Sequence, residues 1–308
     1  MSRIPEPRTT PAGPAYEGRL LDRPDEEVVD QGVAFDIRTL MSRRRVLSLF
    51  GIGVGAAVLT ACAPGSSGST SSAATGSTST GEIPDETAGP YPGDGSNGAN
   101  VLEQSGIVRS DIRSSLGDGT TASGVPMTLT LTILAMANDN APFQDVAVYV
   151  WHCDSAGGYS MYSDGIENET YLRGVQVADG DGKVTFSSIF PACYSGRWPH
   201  IHFEIYPDVD SITNSSNVLA TSQVALPEDV CTTVYGLPGY RGSETNLSRV
   251  SLDDDNVFSD DGGASQLATV TGDADTGYDV SLTVRVDTTT EPTGGGAPGR
   301  GGGTPPGR

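Results

Sequence analysis

The sequence predicts an all-β domain, an antiparallel β-sandwich with long functional loops, flanked by N- and C-terminal segments expected to stay disordered. Three observations predict it. Apolar and polar residues alternate with period two, the mark of a half-buried strand, where Leu129, Leu131 and Ile133 interleave with Thr128, Thr130 and Thr132. The same alternation returns at Tyr278, Val280, Leu282, Val284 and Val286. Turn-forming clusters such as Ala178-Asp179-Gly180-Asp181-Gly182 punctuate these runs, and no long segment of helical period appears. Further strands are expected at Val146–Trp151, Lys183–Ile189, His200–Tyr206 and Val218–Val224. Such a set of short strands packs as a sandwich.

The chain has 308 residues, 39 acidic against 18 basic, for a formal charge of −21. That balance excludes binding to nucleic acid by bulk electrostatics, which needs a basic face. It also disfavours adsorption to anionic headgroups. The charge is unevenly placed: the eight arginines of residues 1–61 match eight acids, so the whole deficit sits in 62–308. Such acidity reads as a solubilising surface.

Residues 42–48 read Ser-Arg-Arg-Arg-Val-Leu-Ser, and a Gly/Ala-rich apolar run follows to Ala61. The run is too short and glycine-rich for a membrane span but fits the apolar region of a signal peptide. Arg43 and Arg44 resemble a twin-arginine export signal. Leu59-Thr60-Ala61-Cys62 resembles a lipoprotein processing box, which makes Cys62 the expected lipidated first residue of the mature chain. Residues 1–61 are therefore read as a signal region, with Met41 as an alternative start that would leave 1–40 untranslated. Cys62 and a Ser/Gly/Thr tether fill 62–83, the domain spans 84–286, and 287–308 form a Gly/Pro-rich tail. The expected location is the outer face of the cytoplasmic membrane, held there by the lipid.

Export permits disulfides. Of the remaining cysteines, Cys193 and Cys231 are the expected pair, since both lie in loop-like contexts, and Cys153 is expected free.

Two of the three histidines fall together in Arg197-Trp198-Pro199-His200-Ile201-His202. On a strand, residues two apart share a face, so His200 and His202 could reach one ion. Glu204 continues that face, but three such ligands on a straight strand span roughly 13 Å. Glu204 is therefore read as a surface or salt-bridged acid. The cysteines are not spaced for zinc. The hard donors nearby are Tyr194 and Tyr159. A phenol ionises only near pH ~10 in water, so it becomes a ligand at neutral pH only beside a strong Lewis acid. Two phenolates with two imidazoles suit Fe(III).

These residues lie in a longer pattern: Val150-Trp151-His152-Cys153-Asp154-Ser155-Ala156-Gly157-Gly158-Tyr159, Tyr171-Leu172-Arg173-Gly174-Val175-Gln176, Asp179 to Phe186, Ile189-Phe190-Pro191-Ala192-Cys193-Tyr194 and Arg197 to Phe203. With the opening Thr87-Ala88-Gly89-Pro90-Tyr91, the pattern resembles the intradiol ring-cleavage dioxygenases. It is closer to the protocatechuate type or to secreted relatives, because 62–100 is too short and polar for the helical dimerisation segment of the catechol type.

The resemblance implies Fe(III) held by Tyr159, Tyr194, His200 and His202, with Tyr194 the ligand that catechol displaces and that takes up a catechol proton. It implies that Arg197 stabilises negative charge on the ring, and that Gln223, Tyr91 and Gly89 line the substrate. Ring opening between the two hydroxyls with O2 would give a cis,cis-muconate-type diacid. The competing readings are a sandwich binding module in which the His and Tyr residues only pack, and a relative that binds iron or catecholates without turnover. The ring substituent and the oligomeric state stay open.

Overall fold

The computed structural model describes residues 8–10, 13–16, 19–20, 81–117 and 119–292. The signal motifs, Cys62, most of the tether and most of the tail lie outside the described residues. The chain divides into two compact units, residues 1–69 and 70–308. In the first, β1 (Arg8–Thr10), β2 (Gly13–Tyr16) and β3 (Arg19–Leu20) pair antiparallel in that order.

The second unit holds two sheets. The first is built on β4 (Pro126–Ala135), which pairs with β5 (Ala141–Pro142), β8 (Lys183–Ile189) and β12 (Gly277–Val286), while β11 (Thr269–Asp273) pairs with β12. Its strands alternate as read from the sequence: Met127, Leu129, Leu131 and Ile133 of β4 and Tyr278, Val280, Leu282, Val284 and Val286 of β12 are buried. The second sheet has the order β10 (Ala220–Ala225), β9 (His200–Tyr206), β6 (Ala147–Trp151), β7 (Arg173–Val177). Every residue of β6, β9 and β10 is buried, so both faces of this sheet are covered. Ile201, Phe203 and Ile205 of β9 join the same core cluster as the β4 and β12 residues. The opposite face carries His200, His202, Glu204 and Tyr206, because side chains alternate along a strand.

Several expectations need correction. The expected all-β sandwich of two sheets is present, and what differs is one pairing: β12 runs parallel to β4 over nine residue pairs. Two helices escaped the reading, α1 (Glu228–Tyr235) and α2 (Ser243–Leu247). α2 is too short to repeat a helical period, and α1, of just over two turns, buries only Cys231, Val234 and Tyr235. The Cys193–Cys231 disulfide is not formed: Cys153, Cys193 and Cys231 are all free and buried. Cys231 sits on the inner face of α1, while Cys193 Sγ faces the Tyr194 and Arg197 carbonyls at 3.9 and 3.6 Å. Glu204 is neither a surface acid nor one of the salt-bridged ones. It is 1% exposed, accepts the Tyr206 hydroxyl at 2.9 Å, and burial pushes its pKa up to about 8.

The chain also closes on itself at the edges of the domain. Ile83 is buried and donates to the Arg285 carbonyl at 2.9 Å, and Glu82 accepts from the Asp287 N–H and the Thr290 hydroxyl.

Candidate metal centre

β9 supplies the two histidines, and two loops bring the tyrosines over them. The loop after β6 turns tightly at Cys153–Tyr159. Asp154 ties it by accepting the Ala156 and Gly158 N–H groups, each at 2.9 Å, and the Tyr171 hydroxyl at 3.1 Å. Tyr159 is then pinned by its N–H to Ser163 Oγ at 2.9 Å. The loop from β8 to β9 delivers Tyr194 and Arg197. At the centre, Tyr159 Oη lies 3.4 Å from Tyr194 Oη, Tyr194 Oη 3.2 Å from His200 Nε2, and His200 Nε2 3.1 Å from His202 Nε2. Four donor atoms thus converge from three segments of chain.

The quartet fits a metal ion. Nitrogen and oxygen ligands stand ~2.0–2.1 Å from a first-row ion, which places neighbouring ligands roughly 3 Å apart. His200 Nδ1–H donates to the Trp198 carbonyl, so its Nε2 is bare and aimed at the others. His202 is stacked on Trp151 with centroids 4.8 Å apart and planes 7° from parallel, which fixes its ring. Burial depresses both imidazoles, His200 to about 3 and His202 well below the usual range, so both are neutral. Burial raises the Tyr159 phenol well above 10, and it raises Tyr194 to about 12 against the pull of Arg197. Left to the protein, both phenols stay protonated, so a ligand role requires the charge of a cation. Among the described residues no group of three or more His, Cys, Asp or Glu is placed to hold an ion, so an ion here would need the tyrosine oxygens.

The remaining expected residues assemble around the quartet. Gln223 on β10 sits opposite His202 in register. It accepts from Arg197 Nη2 at 2.7 Å and donates to the Thr87 carbonyl at 3.2 Å. Tyr91 stacks obliquely on Tyr159 with centroids 5.0 Å apart. Gly89 has φ +72, and a Cβ there would stand 3.3 Å from His202 Cε1. Arg197 does make an ion pair, with Asp255, but a buried one. A cleft of about 800 Å³ opens beside the cluster, and Tyr194 is the only member of the quartet that lines it.

Two residues of the site went unread. Asp255 lies inside the run Asp253-Asp254-Asp255, where nothing marks the third acid as buried. Arg173 stands within a quoted motif, but only the fold shows all five of its N–H groups engaged.

His152 is not part of the quartet. Its Nδ1–H donates to the Cys153 carbonyl at 2.8 Å and its Nε2 accepts the Ser188 hydroxyl at 2.7 Å. Burial pushes its pKa down to about 4. The unfolded chain therefore takes up this proton near the ordinary value of 6.5, and the folded chain only near 4. The stabilisation is present above 6.5 and is lost as pH falls towards 4, by at most about 3 kcal/mol. Urea unfolding at pH 7 and pH 4.5 checks this. The difference between the two pH values should shrink in His152→Gln, and an equal difference in both proteins would refute it.

Comparison with known proteins agrees with the motifs. A family model described as "Dioxygenase" (Dioxygenase_C) matches residues 104–204. Among curated proteins, no sequence relative matches. An intradiol ring-cleavage dioxygenase from Tetranychus urticae superposes with a TM-score of 0.53 at 23% identity, over 69% of this chain and 98% of that one. A second dioxygenase structure gives 0.55 at 23% identity, over 69% of this chain and 97% of that one. A catechol 1,2-dioxygenase from Pseudomonas arvilla gives 0.40 at 19%, over 60% of this chain and 58% of that one. The resemblance read from the sequence is borne out: residues 104–204 match the dioxygenase family, and the domain around them has the intradiol ring-cleavage dioxygenase fold.

Proposed function

We propose that this chain is an Fe(III)-dependent intradiol dioxygenase that cleaves catechols between their two hydroxyls with O2, giving a cis,cis-muconate-type diacid. The observation that carries the reading is the convergence of Tyr159, Tyr194, His200 and His202 with neighbouring donor atoms 3.1–3.4 Å apart. Bound there, ferric iron would supply the positive charge that ionises the phenols and draws electron density from a chelated catecholate. Around it the protein's own groups have separable tasks. The neutral imidazoles present bare nitrogens. Tyr194, the member that lines the cleft, is placed to leave the quartet and take a catechol proton at Oη. Its high intrinsic pKa makes it a willing base once off the metal. Arg197 offers fixed positive charge where the ring becomes negative. Gly89 and Tyr91 do not line the cleft; they approach the quartet at His202 and Tyr159.

We further propose that the domain works outside the cytoplasm on a lipid tether at Cys62. The signal-like run and the motif Leu59-Thr60-Ala61-Cys62 support this reading. Incorporation of labelled palmitate, lost in Cys62→Ser, tests it.

Catalysis is tested by loading the purified domain with iron. Expected are a visible tyrosinate-to-iron absorption band and O2 uptake with catechol, protocatechuate or hydroxyquinol. Tyr194→Phe should retain iron but shift and weaken the band. Arg197→Ala should keep the band and iron content while turnover falls by about 10²–10³-fold. A fully loaded but colourless protein would overturn the reading. A coloured one that binds catechols without consuming O2 would reduce it to an iron or catecholate binder.

A further inference from the structure

Arg197 is held from behind by a residue whose only sequence mark is its place in an acidic run. Its Nε donates to Asp255 Oδ2 at 2.9 Å and its Nη2 to Oδ1 at 3.2 Å, a two-pronged grip on the guanidinium plane. Nη2 also donates to Gln223 Oε1. Among the described residues these bonds leave Nη1 as the unengaged edge of the guanidinium. The Asp255 side chain is 0% exposed, and that of Arg197 is 14% exposed.

Asp255 is itself held rigidly. Its Oδ2 accepts the Trp198 N–H at 2.7 Å, and its Oδ1 accepts the Val257 N–H at 2.8 Å and the Phe258 N–H at 3.3 Å. One carboxylate therefore spans the guanidinium of Arg197 and the backbone of the next residue. The carbonyl of that same Trp198 accepts His200 Nδ1–H and so sets which nitrogen His200 presents. On the other side the path continues through Gln223 Nε2 to the Thr87 carbonyl, two residues before Gly89. A long, flexible arginine without such a grip would sample many rotamers, and orientation is worth orders of magnitude in rate.

We propose that Asp255 is a positioning residue for ring cleavage: it fixes the plane of Arg197 against the four-donor centre. This inference rests on the ring-cleaving reading above. It goes beyond that reading in assigning the geometry of the site to a residue that touches neither metal nor substrate.

A double-mutant cycle between Asp255→Asn and Arg197→Ala tests it, on iron-loaded protein with catechol. Asp255→Asn should lower kcat/KM by about 10–100-fold, the usual range for a partner of a functional residue, with most of the loss in kcat. The visible band and iron content should hold. In the Arg197→Ala background the same substitution should cost less than about 3-fold, because the group it acts through is gone. Equal losses in both backgrounds, or no loss in the wild-type background, would overturn the proposal. If the Asn variant does not fold, Asp255→Glu keeps the charge and shifts the grip, and the same two outcomes apply to it. Titration of the visible band with catechol under argon reads binding without turnover. A wild-type protein that neither binds catechols nor consumes O2 fails the ring-cleaving reading and takes this inference with it. A working wild type with an additive cycle fails the inference alone.

Discussion

Arg173→Met is expected to lower the stability of the domain by about 3 kcal/mol, seen as a fall in melting temperature of roughly 6–12 °C for a domain of this size. Arg173 is 1% exposed, and each of its five N–H groups is used. Nε donates to Ser160 Oγ at 3.0 Å, Nη1 to the Pro92 carbonyl at 2.7 Å and Tyr149 Oη at 3.0 Å, and Nη2 to the Tyr91 and Ser160 carbonyls at 2.9 and 3.0 Å. Two opposing effects decide the outcome. Removing a buried cation relieves a desolvation penalty, which is why replacing buried charges is sometimes neutral. Here all five bonds run to neutral oxygens, so no hydrogen-bonded carboxylate offsets the penalty in the folded state. Against that relief, buried carbonyls lose their donors at about 1–3 kcal/mol each. Pro92 keeps the Tyr149 hydroxyl at 2.7 Å, but the Ser160 carbonyl and hydroxyl and the Tyr91 carbonyl lose the Arg173 donors. Methionine fills much of the volume, so the cavity contribution is small, and the lost bonds dominate. Arg173→Lys has three donors and no fork, and should recover less than half of the loss. The segment released is the one carrying Gly89 and Tyr91, so catechol binding should weaken alongside stability. Urea unfolding and limited proteolysis within 81–100 check both. A melting temperature within 2 °C of wild type would refute the clamp.

The legible parts of the molecule are those where one residue type at one spacing has a single physical meaning. β4 and β12 were readable because each has a wet face, so burial alternates with the pleat. β9 was readable from its histidines more than from its pattern, since a strand covered on both faces loses its alternation. The same covering explains Glu204: a carboxylate between two histidines and a tyrosine gives no local sign that loops will seal it from water. The tyrosines and histidines are joined in the sequence by donor chemistry and by the motif resemblance, not by spacing, because Tyr159 and Tyr194 lie 41 and 6 residues from His200 and no spacing rule relates them. Gln223 lies 21 residues beyond His202 in the chain, and the antiparallel register of β10 with β9 sets it directly opposite that histidine. Asp255 and Arg173 were beyond reach for a related reason. Each acts through many backbone bonds made across the fold, and side-chain identity alone does not encode where those carbonyls and N–H groups will be. The unformed disulfide is the converse error: two cysteines in loop-like sequence, one of which folds into the buried face of a two-turn helix.

Gly89→Val is expected to destroy the site while leaving most of the fold. The position carries two separate constraints. With φ at +72, any side chain is strained, and a β-branched one most of all. Strain of this kind costs on the order of 1–3 kcal/mol. The second constraint is steric: the added Cβ would stand 3.3 Å from His202 Cε1 and 3.9 Å from Nε2, the nitrogen that faces the quartet. His202 cannot retreat freely, because Trp151 is stacked on its ring. The methyl groups of valine would therefore crowd Nε2 on the side where the proposed function places metal and substrate. Gly165→Ala separates the two contributions. Gly165 also has a left-handed φ, +81, but a Cβ there meets nothing within 4 Å. It should show the backbone cost alone, with iron binding and the visible band intact. Gly89→Ala should show a similar loss of stability with a further fall of about tenfold or more in catechol affinity, and Gly89→Val should abolish binding. Thermal unfolding and iron stoichiometry after dialysis, measured on all three variants, decide the matter. If Gly89→Val retained wild-type iron and catechol affinity, the close approach of the 87–91 segment to His202 would not shape the site.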